Sequence, residues 1–106
     1  MIKVQVLPAP VENGFDILLY VLPQNGDGTE TKVSLLSVDD HGQVDIRFVV
    51  KLPQSYPVAN FKKALYAYLE ARRTNILTWR DLSSAVLHFL NDKSANEGHK
   101  LTYEFM

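Results

Sequence analysis

The spacing of apolar residues changes once along the chain, near Pro53. Before it they recur mostly at every second position, the period of a strand with one buried face. Beyond it they recur every third or fourth, the period of a helix, until a last alternating stretch. Ile2, Val4 and Val6 alternate with Lys3 and Gln5 in a first strand over 2–7. Pro8 and Pro10 end it, because neither has an N–H to give a ladder. Asn13-Gly14 marks a turn. The second strand, 15–22, is almost wholly apolar, the mark of a strand covered on both faces. After a polar loop over 24–31, a third strand runs over 32–38. Asp39-Asp40-His41-Gly42 makes a tight connection, with Gly42 free to take positive φ. In the fourth strand, 43–52, Val44, Ile46, Phe48 and Val50 share a face.

The helical period begins at Pro57, which suits the first helical position. Val58, Phe61, Leu65, Tyr68 and Leu69 form one stripe. This helix ends near Thr74-Asn75, where Asn tolerates the left-handed conformation that often terminates helices. The second helix carries the clearest start signal. Thr78 caps it, Asp81 stands where a capping box wants an acceptor, and Leu77 and Leu82 hold the hydrophobic-staple positions. Asp is shorter than the usual Glu, so the reciprocal bond has less reach. Trp79, Leu82, Val86, Phe89 and Leu90 form its apolar stripe. A polar run over 91–98 ends it, and Leu101, Tyr103 and Phe105 alternate with Thr102 and Glu104 in a closing strand. The order is β-β-β-β-α-α-β. Strands followed by helices predict an α+β fold, an antiparallel β-sheet with two helices packed on one face. The closing strand can join any strand with a free edge.

Composition narrows the class. A chain of 106 residues with 46% hydrophobic and 22% charged residues predicts one domain over 1–106 with a real core. Such a composition excludes a disordered chain. With no cysteine there is no disulfide scaffold, thiolate nucleophile or cysteine zinc site. No apolar run approaches the roughly 18 residues that span a bilayer, and the N-terminus is no signal-peptide core. A cytoplasmic domain with no membrane contact is expected.

The net charge of −1 conceals a segregation. Residues 1–54 hold four basic and seven acidic groups, whereas residues 55–93 hold six basic and three acidic. The cations Lys62, Lys63, Arg72, Arg73 and Arg80, with Tyr66 among them on the polar face, outline a candidate phosphate-facing surface. The balance of +3 over 55–93 is modest beside the dense stripes of nucleic-acid binders, and solvated helix faces carry such charges without a ligand. A helix-turn-helix match fails, because its buried second-helix positions would fall on Asp81 and Ser84.

A second feature is an apolar surplus on the strands. Leu18, Tyr20 and Leu22 oppose Phe15, Ile17, Leu19 and Val21; Leu36 and Val38 oppose Val33 and Leu35; Val49 points away from Val44, Ile46 and Phe48. If Leu18, Tyr20, Leu22, Leu36, Val38 and Val49 align across neighbouring strands, they form a second apolar patch, which monomers seldom leave exposed. The closing strand, the 8–14 segment or sheet curvature could instead cover it.

Catalytic chemistry is thin. Ser84, His88 and Asp92 follow at i, i+4 spacing and imitate a triad, but on a face opposite Val86 and Leu90, without an oxyanion site. Asp39, Asp40, His41 and Asp45 could hold a divalent ion, yet tight turns favour the same residues. The loop around Asn25–Glu30 faintly imitates a calcium loop, but with Gly28 at the sixth position Pro23 falls first and Ser34 twelfth, where the bidentate Glu is needed. No glycine-rich phosphate loop occurs. The expectation is therefore no catalytic, cofactor or metal site. The chain reads as a non-enzymatic interaction or regulatory module that pairs with itself, or with another protein, through its sheet. The alternative is a nucleic-acid-binding domain using the basic helical pair over 55–93.

Overall fold

The structure, a computed structural model, describes residues 2–7, 16–22, 30–38 and 44–105. The side chains of residues 2–7, Asp16, Val38, residues 44–47 and Trp79 lie outside that description. Five strands form one antiparallel sheet in chain order: β1 (Ile2–Leu7), β2 (Asp16–Val21), β3 (Glu30–Val38), β4 (Val44–Pro53) and β5 (Thr102–Phe105). Between β4 and β5 lie α1 (Val58–Ala71) and α2 (Trp79–Asn91), joined through a 3-10 turn over Arg73–Asn75. This is the α+β arrangement that the change of period predicts. The closing strand takes the free edge of β4, with Phe105 opposite Phe48 and Tyr103 opposite Val50.

One face of the sheet meets both helices. Ile17 and Leu19 of β2, Val33 and Leu35 of β3, and Phe48, Val50 and Leu52 of β4 are buried against Phe61, Leu65 and Leu69 of α1 and Leu82, Val86, Phe89 and Leu90 of α2. The Phe61 and Phe89 rings join the helices at a centroid distance of 5.6 Å. Each such side chain contributes about 1.5–3 kcal/mol by leaving water. Burial along β2 alternates: Ile17 and Leu19 are buried, whereas Leu18 and Tyr20 are half-buried. The expected cover on both sides is therefore uneven, and the helices account for the better covered side.

Local signals hold where they are short in range. Thr78 Oγ1 accepts from the Asp81 N–H at 3.1 Å, and Asp81 Oδ2 accepts from the Thr78 N–H at 3.2 Å, so Asp reaches far enough to close the capping box. Three details differ. Pro57 is the N-cap rather than the first helical residue, because its ψ of 153° is extended. α1 stops at Ala71, and Asn75 lies in the 3-10 turn, where its N–H donates to the Arg72 carbonyl. Leu77 is 71% exposed, so no staple forms with buried Leu82. The segment after the 3-10 turn is extended at Ile76, which goes into the core at 1% exposure and turns its neighbour outward.

Candidate interaction surfaces

The strand register decides how the surplus apolar residues lie. Leu18 pairs with Leu36 across β2 and β3, and Tyr20 pairs with Ser34, which pairs with Val49 of β4. Leu22 follows at the end of β2, its N–H donating to the Lys32 carbonyl at 2.9 Å. Leu18, Tyr20, Leu22, Leu36 and Val49 are all half-buried, on the face turned away from the helices. Val38 holds the register position opposite Asp16, and its side chain lies outside the described residues. β5 extends the sheet sideways and does not cross this face. The 8–14 segment, the other expected cover, lies outside the described residues. Lys32 and Lys51 stand opposite each other beside the patch, and Glu104 stands opposite Val49.

The basic residues of the helical pair are spread over α1, the turn and the start of α2. Lys63 and Tyr66 are exposed on α1, with Lys62 half-buried between them and the core stripe. Arg73 and Arg80 are exposed around the turn between the helices. Arg72 is used differently. Its guanidinium lies 3.5 Å over the Tyr68 ring and Nη1 donates to the Tyr68 carbonyl at 3.3 Å. It caps the end of α1, where a cation is favoured by the helix dipole.

Ser84, His88 and Asp92 fall along one side of α2, but Asp92 does not orient the imidazole. Its Oδ1 accepts from the Ala95 N–H at 3.2 Å. Ser84 and His88 instead line an open groove of about 270 Å³ with Tyr68, Arg72, Asn75, Ile76, Asp81 and Ala85. Asp81 is held below the usual carboxylate range, chiefly by the Leu77 N–H that its Oδ2 accepts at 3.1 Å. Asp39, Asp40 and His41, and the side chain of Asp45, lie outside the described residues. Among the described residues no group of three or more His, Cys, Asp or Glu could hold a metal ion. No helix among them is long and apolar enough to cross a membrane.

One buried polar cluster escapes sequence reasoning. Asn96, fully buried, donates from Nδ2 to the Phe89 carbonyl at 2.8 Å and to the Asp92 carbonyl at 3.0 Å. Its Oδ1 accepts from the Tyr56 hydroxyl at 2.9 Å. Tyr56 stacks on His99 with ring centroids 4.9 Å apart. Burial, with the nearby Glu97 carboxylate as the smaller cause, pushes the Tyr56 hydroxyl up to about 12. The cluster ties the α2–β5 connection to the β4–α1 connection. Its only trace in the sequence is an Asn in a polar run, which does not reveal a partner 40 residues away. Comparison with family models, curated proteins and solved structures yields no match.

Proposed function

We propose that the chain is a protein-interaction module that pairs with a second copy of itself through the outer face of its sheet. One observation carries this reading: the register sets Leu18 beside Leu36, and Tyr20 and Val49 on either side of Ser34, on the side the helices leave uncovered. Apolar side chains on neighbouring strands, here interrupted by the buried Ser34, present area that packing against another sheet removes from water. Two sheets stack face to face at about 10 Å, and a two-fold axis lets one patch meet its own copy.

Light scattering after gel filtration, at micromolar concentration, tests the reading. Wild-type protein is expected at twice the chain mass. Leu18→Glu or Leu36→Glu is expected at the chain mass with cooperative unfolding retained. A wild-type monomer contradicts the reading.

A second reading rests on the exposure of Lys63, Arg73 and Arg80. Nucleic-acid binding on the helical side would be salt-sensitive and would weaken when these residues are neutralised. The charge balance counts against it, since +3 over 55–93 is modest for a phosphate-binding surface. A mobility shift at low salt decides it.

A further inference from the structure

The groove between α1 and α2 is unexplained by pairing through the sheet. Its floor is buried Ile76 with half-buried Tyr68 and Ala85, and its rim is polar: Arg72, Asn75, Ser84 and His88. The rim donors are open to a ligand. Ser84 and His88, one turn apart on α2, have no hydrogen-bond partner among the described residues, and Arg72 has no carboxylate partner there. The guanidinium is nevertheless held in place, stacked at 3.5 Å on Tyr68 and bonded at 3.3 Å to its carbonyl. A planar fork fixed in this way loses little freedom on binding an oxyanion, and its remaining N–H groups suit one bidentately.

Acidic groups nearby do not cancel this. Asp81 lines the groove, but its Oδ2 accepts the N–H groups of both Leu77 and Thr78, at the positive end of α2. Asp92 lines an adjoining hollow of about 540 Å³, which shares Tyr68 and His88 and adds Lys93. Its Oδ1 is turned to the Ala95 N–H. Both carboxylates thus spend acceptor capacity on backbone donors, while the Arg72 fork, Ser84 and His88 remain available.

We infer that this groove binds a small molecule bearing an oxyanion, a phosphoryl or carboxylate group. Arg72 holds the anion, Ser84 and His88 donate to it, and the Ile76–Ala85 floor receives the apolar body. The site lies on the helical side and does not depend on self-association.

Titration of isotope-labelled protein followed by amide and Arg side-chain NMR tests it. Inorganic phosphate and acetate are the two probes, each balanced by chloride at fixed ionic strength. Saturable shifts confined to Arg72, Ser84, His88 and their neighbours are expected for at least one probe, and the probe that gives them names the anion class. Arg72→Ala is expected to weaken binding about tenfold or more, since a hydrogen bond to a charged group is lost. Arg72→Lys, which keeps the charge without the fork, is expected to restore only part. His88→Ala weakens binding without touching the α1 end, so a folding defect at position 72 does not decide the outcome. Leu18→Glu is expected to leave binding unchanged. Absent shifts, shifts scattered over the surface lysines, or binding indifferent to both Arg72→Ala and His88→Ala would overturn the inference.

Discussion

Tyr56 and Asn96 form a buried polar contact whose parts satisfy one another. Asn96 supplies two donors to carbonyls at the end of α2 and one acceptor to Tyr56. Removing the Tyr56 hydroxyl leaves a buried amide oxygen without that donor. Tyr56→Phe is therefore expected to cost about 1–3 kcal/mol in urea unfolding. The hydroxyl also sets an alkaline limit. Its affinity for the proton is higher in the folded state, at about 12, than the ordinary value of 10.0. The folded state thus binds more protons as pH rises through this window. The contribution is fully present below pH 10 and fades as pH rises through about 12, a loss of up to about 3 kcal/mol. Tyr56→Phe is expected to flatten that alkaline limb, measured as unfolding midpoint against pH. The neighbouring turn places Gly98 at φ 81°. Gly98→Ala meets no side chain there, yet is expected to cost about 1–2 kcal/mol for the left-handed backbone alone.

At the scale of elements, what is legible in sequence follows the range of the interaction. The Thr78–Asp81 box spans one turn and can be read from spacing. Thr78→Ala is expected to lower stability by about 0.5–2 kcal/mol, measured by thermal unfolding. Phe61, Leu65 and Leu69 are legible for the same reason, since the helix repeat itself brings them onto one side. Leu65→Ala, at a fully buried position, is expected to cost about 2–5 kcal/mol. Leu77 misleads because its fate depends on Ile76, whose extended backbone and place in the core are tertiary facts. Asn96 is silent because its partner Tyr56 lies on another connection. The groove is half legible. The i, i+4 spacing of Ser84 and His88 sets them on one side of α2, but what faces them, Tyr68 and Arg72, comes from packing α1 alongside.

At the scale of the molecule, the sheet divides its apolar residues between two sides. The helices cover the side of Leu19, Leu35 and Phe48; the side of Leu18, Tyr20, Leu36 and Val49 faces away from them. The alternation is plain in the sequence, but alignment needed the strand order. Order β1-β2-β3-β4-β5 makes β2, β3 and β4 neighbours, so Leu18 meets Leu36 and Val49 stands next to Ser34. A different order would have scattered the same residues. The order also puts the closing strand at an edge, removing one of the covers the sequence allows. Charge adds a constraint: Lys32 and Lys51 face each other across the β3–β4 ladder, where like charges repel. Self-association that brings acidic groups near this pair would weaken with salt, whereas a purely apolar interface would not.

The most direct test is the solution mass of the wild-type protein beside that of Leu36→Glu, by light scattering at matched micromolar concentration. Pairing through the outer face predicts a wild-type dimer and a folded Leu36→Glu monomer. A folded wild-type monomer, or a dimer that Leu36→Glu leaves intact, would contradict it.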